Sequence, residues 1–106
     1  MKGDVFQALA DPTRRAILLL VALQAMTPNA IAEHFSSSRQ AISKHIHLLV
    51  ACDLLKPEQQ GREIYYHLNP DNMQQVETWL QHVKNAVEKR FNQLDDVLAK
   101  LKTEQK

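Results

Sequence analysis

Cysteine and glycine are scarce in this chain, and no charge of either sign prevails. In 106 residues there are one cysteine, two glycines and four prolines, and 13 Lys and Arg nearly balance 12 Asp and Glu. A lone Cys52 excludes an internal disulfide framework and fits a reducing compartment such as the cytoplasm. Few Gly and Pro, with 44% hydrophobic and 24% charged residues, describe a globular chain that leans helical. A formal net charge of +1 exerts no overall pull on nucleic acid, so any basic surface has to be local. No apolar run reaches the roughly 18 residues of a membrane span. The opening MKGDVFQALADPTRR lacks the charged-then-apolar layout of a signal peptide. The expectation is one domain, cytoplasmic and without a membrane partner. No internal repeat, low-complexity linker or Gly-rich loop is present.

What is there reads as a series of capped helices. Val5, Phe6 and Leu9 form a short apolar patch at helical spacing. Asp11-Pro12 is an N-cap followed by proline at the first helical position, where a missing N–H costs nothing. The helix it opens runs to about Gln24, and its AILLLVAL centre is apolar nearly all round, which predicts an enclosed central helix. Arg14 and Arg15 stand at the wrong end for the helix dipole, which suits a partner or a phosphate as well as plain solvation. Thr27-Pro28 repeats the cap-then-proline signal, and Ile31, Ala32 and Phe35 give a two-turn helix its buried side. Ser36 to Ser38 then break the chain and cap a helix running to Ala51. Ile42, Ile46, Leu49 and Val50 share its apolar stripe. Gln40, Ser43, Lys44 and His47 lie opposite, with Arg39 in the first turn and no Asp or Glu from Arg39 to His47. A short helix, a turn and a longer helix with an acid-free polar front make a helix-turn-helix over residues 28–51, suited to the major groove of DNA. An ordinary amphipathic surface helix carries the same stripe.

Beyond Cys52 the period changes. Residues 54–68, LLKPEQQGREIYYHL, alternate around a polar centre at Gln59-Gln60-Gly61 and predict a β-hairpin. With the helix-turn-helix before it, this makes a wing, and Arg62 at its tip suits a phosphate or the minor groove, or simple exposure. Asn69-Pro70 caps a last helix from about Asp71 to Leu101, within residues 70–101. Its Met73, Val76, Leu80, Val83, Val87, Leu94, Val97 and Leu101 recur in three- and four-residue steps, with Arg90 interrupting and Phe91 beside them. A seam on the order of 45 Å long outruns a small core and suits a second copy of the chain. Val5, Phe6, Leu9, Val76, Trp79, Leu80, Val83 and Val87 are the expected dimer residues. The alternative is a helix that wraps its own domain and frays beyond about Leu94. The final TEQK reads as loose. The expected fold is therefore mainly α with a small β-hairpin: a winged helix-turn-helix with a long C-terminal dimerisation helix.

Other chemistries fare worse. Ser43 and His47 are one turn apart, but no acid is placed to orient the imidazole, so no enzyme is expected. His45 and His47 point in different directions and do not chelate together. Cys52 reads as a small buried core residue. A metal site would need ligands such as His34, His67 or His82 from two chains, so no metal or cofactor is expected. The leading reading is a sequence-specific DNA-binding repressor; the alternatives are a winged-helix module that binds another protein through the long helix and has little DNA affinity, or a metal-responsive repressor with an atypical site between subunits.

LADPTRRAIL at Leu9 to Leu18, IAEHF at Ile31 to Phe35, AISKHIHLL at Ala41 to Leu49 and GREIYYHLNP at Gly61 to Pro70 resemble the ArsR family of small bacterial winged-helix repressors. The likeness spans about Val5 to Leu80, and is nearest the SdpR-like branch, described as autorepressors without a metal site. It implies a homodimer built from the first and last helices, with two recognition helices in successive major grooves of a near-palindromic operator and the promoter occluded. By position, Ser38, Arg39, Gln40, Ser43, Lys44 and His45 fall where family members meet DNA, and Arg62 falls on the wing. Ser36 and Ser37 stand where a glycine and an apolar residue are common, and Gln40 where proline is common. Two metal-binding stretches of the family lack ligands here: Met26-Thr27-Pro28-Asn29-Ala30 has none, and Asp71 is followed by Asn72 and Met73. The operator and any effector are not legible.

Overall fold

The computed structural model describes residues 4–104. Its helices begin where local side-chain chemistry starts them. Asp4 accepts the Phe6 N–H at 2.9 Å and opens α1, Val5–Leu9. Asp11 accepts the Arg14 N–H at 3.0 Å and, with Pro12 in the first turn, opens α2, Pro12–Leu23. Thr27 accepts the Ala30 N–H and opens α3, Pro28–Ala32. Ser38 accepts the Ala41 N–H and opens α4, Arg39–Ala51. Each bond satisfies one amide that the helix cannot satisfy itself.

Packing then orders these pieces. Ile42, Ile46 and Leu49 of α4 are buried together with Ile17, Leu18 and Val21 of α2, Ile31 of α3, and Leu54, Leu55 and Tyr66. α4 packs on α2 and α3 and against the first strand. It ends in a Schellman turn: the Leu54 N–H reaches Leu49 O at 2.9 Å, and the Asp53 N–H reaches Val50 O at 3.0 Å. Asp53 holds the left-handed position of that turn at φ 58°, where glycine would be unstrained. Cys52, just before it, is buried, and its thiol donates to Asp4 O at 3.6 Å. Burial, then the Asp4 charge, pushes that thiol's pKa up, so it stays protonated and weakly reactive near neutral pH.

The hairpin pairs β1, Leu55–Gln60, antiparallel with β2, Glu63–Leu68. Its two-residue turn is Gly61-Arg62, with Gly61 at φ 64°, so Gln59 and Gln60 belong to β1 and not to the turn. Glycine at the first of two central positions is what a type II′ hairpin turn requires. Tyr66 of β2 exchanges both its amide and its carbonyl with Met26, at 2.8 and 3.3 Å, a bridge that nothing in the AMTPN stretch signals.

Several expectations need correction. α2 is not enclosed, because Leu19 and Leu23 are 70% and 86% exposed on a side that no element of residues 4–74 covers. An all-round apolar run does not say which of its faces meets the core. α3 is one turn shorter than its apolar spacing suggests, and Phe35 lies half-buried in the following turn. Ile64 is exposed although its two-residue spacing puts it on the same strand face as buried Tyr66. Asn69 caps nothing: a 3-10 turn occupies Pro70–Met73, and the Asn69 amide donates to Asp53 O at 2.7 Å instead. Asn72 donates likewise to Cys52 O. Both amides thus serve carbonyls left over at the end of α4. Val5 is also a core residue, at 2% exposure, because α1 turns Val5 and Ala8 inward and Phe6 outward.

The chain divides into two compact units, one up to Gln74 and one from Gln75 on, where length alone suggested one. The second is α5, Gln74–Glu104, 31 residues long. Of the TEQK end, Thr103 and Glu104 continue α5, and the last two residues lie outside those described. Among the described residues no helix is long and apolar enough to cross a membrane.

Candidate nucleic-acid interface

Because α4 turns Ile42, Ile46 and Leu49 fully inward, with Val50 half-buried beside them, its other side must face out. Arg39, Gln40, Lys44 and His47 are exposed, and Ser43 is half-buried at the margin. Ser38 is exposed too, but its oxygen is engaged in the cap, which leaves its hydroxyl proton to donate elsewhere. With no acidic residue in the first turn of α4, this edge presents donors and positive charge.

The wing adds a third cation, Arg62, to Arg39 and Lys44. Arg62 and Arg39 line one cleft with Thr27, Pro28, Asn29, Glu63 and Ile64, about 210 Å³ in volume. Two arginines from separate elements at one cleft suit a phosphate, whose oxygens accept forked N–H donors. Glu63 opposes them in part, and the Tyr65 hydroxyl donates to its Oε2 at 3.2 Å. That bond and the carboxylate's charge push the Tyr65 pKa up, keeping the phenol protonated. The sequence marks Thr27 only as a cap and does not point to Asn29 as a site residue, since nothing local places the start of α3 beside a wing more than 30 residues on.

His45 departs from expectation. Its ring does not join the exposed edge but turns back to the start of α2, with Nδ1 3.2 Å from Arg14 Nη1 and Nε2 4.0 Å from Asp11 Oδ2. The Asp11 pKa is lowered, first by the Arg14 backbone N–H it accepts; burial works against this, and His45, when its ring is protonated, and the Arg14 charge assist. Arg14 and Arg15 are tied to backbone carbonyls and not left to solvent alone. Arg14 Nε donates to Ala8 O at 2.7 Å and Nη2 to Gln7 O at 3.2 Å, while Arg15 Nη1 donates to Leu9 O at 2.6 Å. A five-residue helix leaves its last carbonyls bare, and these cations satisfy them.

No three His, Cys, Asp or Glu side chains converge as a metal site among the described residues. His67 faces Glu58 across the hairpin at 2.8 Å.

α5 shows its own apolar stripe. Trp79, Leu80, Val83, Val87, Phe91, Leu94, Val97 and Leu101 are all exposed, from 38% at Val87 to 57% at Phe91, and Val76 is half-buried. Val83, Ala86, Val87 and Arg90 line a shallow hollow on it. Such a stripe at heptad-like spacing is the signature of a helix that packs on another helix.

Comparison with known proteins agrees with this geometry. A helix-turn-helix domain family matches residues 9–58. Over 78 residues the chain is 40% identical to the transcriptional repressor SdpR of Bacillus subtilis (strain 168), covering 74% of this chain and 87% of that one. An ArsR-like transcriptional regulator from Rhodococcus sp. RHA1 superposes with a TM-score of 0.73 at 30% identity, covering 88% of each chain. The homodimeric winged helix-turn-helix DNA-binding domain of Mb0332 from Mycobacterium bovis superposes with a TM-score of 0.61 at 25% identity, covering 76% of this chain and 75% of that one.

Proposed function

Because the chain belongs to the ArsR family of winged helix-turn-helix transcriptional repressors, we propose that it works as a homodimer that binds a near-palindromic operator and occludes a promoter. α4 is the recognition helix. Gln40 and Ser43 read base edges in the major groove, with His47 beside them. Lys44, Arg39 and the Ser38 hydroxyl hold phosphates, and Arg62 follows the backbone or minor groove from the wing. Two copies joined through α5, with Phe6 and Leu9 of α1 contributing, set their recognition helices about 34 Å apart, one duplex turn. The homodimeric state of the Mb0332 domain supports this assembly.

The observation that carries the reading is the acid-free exposed edge of α4 beside an arginine-lined cleft shared with the wing. With a net charge of only +1, affinity has to come from these few cations. Fragments of the host genome bound by the protein should share a two-fold symmetric site with half-sites about 10 base pairs apart. Affinity for a selected fragment should fall steeply with salt as counterions are released. Lys44→Ala should weaken binding to all sequences by a similar factor and reduce the salt slope by about one. Changing Gln40 or Ser43 should instead alter base preference. Salt-independent, weak binding by the wild type would favour a protein-binding module.

A further inference from the structure

The Arg14 side chain ties α2 to both α1 and α4. It belongs to α2, donates Nε and Nη2 to the last carbonyls of α1, and reaches His45 of α4 with Nη1 at 3.2 Å. An arginine has donors only, so His45 Nδ1 must be the acceptor, and a neutral ring then carries its proton on Nε2. That nitrogen points toward Asp11 Oδ2, the same oxygen that caps α2 by accepting the Arg14 N–H at 3.0 Å. Hydrogen bonds and one longer contact of 4.0 Å to Asp11 thus join the end of α1, the start of α2 and the middle of α4. The ring sits where the apolar stripe of α4 meets its exposed edge, with 24% of the side chain exposed. Hydrophobic packing is non-directional and tolerates small rotations of a helix about its axis. A forked guanidinium on a ring nitrogen does not.

We propose that Arg14 and His45 are positioning residues for DNA binding: they fix the rotation of α4, and so the aim of Gln40, Ser43 and Lys44, without touching DNA. This rests on the DNA-binding reading above. It also assigns a use to an arginine at the unfavourable end of α2, and another to the histidine that the family resemblance set against DNA.

The test uses the full-length protein with the strongest-bound genomic fragment and a scrambled duplex of equal length. His45→Ala should weaken binding to the selected fragment about tenfold, the loss of one charge-assisted hydrogen bond. The salt slope and the affinity for scrambled DNA should stay unchanged, because no phosphate contact is lost. His45→Asn places an amide oxygen near the Nδ1 position and should recover most of the affinity. Arg14→Lys keeps the charge but not the fork and should match His45→Ala, and the double variant should be no weaker than either single one. Wild-type affinity in His45→Ala would overturn the proposal, as would a salt slope reduced by about one or a His45→Asn variant as weak as His45→Ala. If the wild type binds neither duplex, the DNA-binding reading fails and this inference with it.

Discussion

α4 and α5 are both amphipathic helices, yet they spend their apolar faces differently. The stripe of α4, Ile42, Ile46 and Leu49, is buried to within 1% of complete. The stripe of α5 stays open along its length, with Leu80, Val83 and Leu94 between 41% and 53% exposed. Their ends differ as well. α4 starts on a serine cap and stops in a Schellman turn that two asparagine amides brace, whereas α5 follows directly from a 3-10 turn that no side chain caps. The difference teaches how to find function in each. On a helix whose apolar face is already used, the polar face carries the message; on one whose apolar face is unspent, that face is the message.

Four experiments press on this contrast. The largest effect is expected from Val83→Asp, which puts a charge into the open stripe. Sedimentation should show monomers, and affinity for a two-half-site operator should drop by roughly 10²-fold or more as the avidity of paired sites is lost. The melting of the first unit should be unchanged, because Val83 lies outside it. A variant that stayed dimeric would show that the stripe of α5 is not the joint. Ile46→Ala attacks the spent face instead: deleting buried methyl groups should destabilise the fold by about 3 kcal/mol in denaturant titrations, with the oligomeric state of the folded fraction retained. Asp53→Gly sharpens how α4 stops. Glycine removes the left-handed penalty, and stability should rise by about 0.5–1 kcal/mol. An equal loss would mean that the Asp53 side chain contributes more than its backbone suffers.

The smallest effect concerns pH. Asp11 anchors α2 and faces His45 of α4, and its folded pKa lies below the ordinary 3.8. A depressed carboxyl stabilises the fold above its unfolded pKa, and that contribution fades as pH falls through the folded value. Asp11→Asn keeps a capping oxygen but not the charge. The melting temperatures of the two proteins should differ slightly at pH 7 and converge as the pH falls through the depressed folded pKa of Asp11. A constant difference across that range would assign the effect to packing.

The caps at Asp11, Thr27 and Ser38 were legible because each is a bond between residues three apart, written wholly in local sequence. The stripes of α4 and α5 followed from periodicity, and the length of α5, greater than a small core can cover, was what suggested that its stripe stays open. Helical spacing cannot tell an apolar face that is covered from one that is not, which is why the enclosure of α2 was misjudged at Leu19 and Leu23. The Arg14–His45 contact joins residues 31 apart, and no local pattern announces it. The sequence showed only that Arg14 was oddly placed for its helix. Asn69 misled for the reverse reason: Asn-Pro is a good local cap signal, and a carbonyl of Asp53, 16 residues earlier, outbid it.

The bridge between Met26 and Tyr66 has a consequence for behaviour at high concentration. In an antiparallel strand a residue's amide and carbonyl point the same way, and both of those groups of Tyr66 go to Met26. Pro57, its partner across the hairpin, therefore turns its own nitrogen toward the outer edge of β1, where a proline has no hydrogen to offer. Lys56 and Glu58 add charge on either side of it. A strand from another molecule that tried to zip onto this margin would meet a missing donor flanked by ions, the protection that sheet proteins use against aggregation. The hairpin is thus barred from recruiting strangers, and crowding should favour self-association through helices over fibrils.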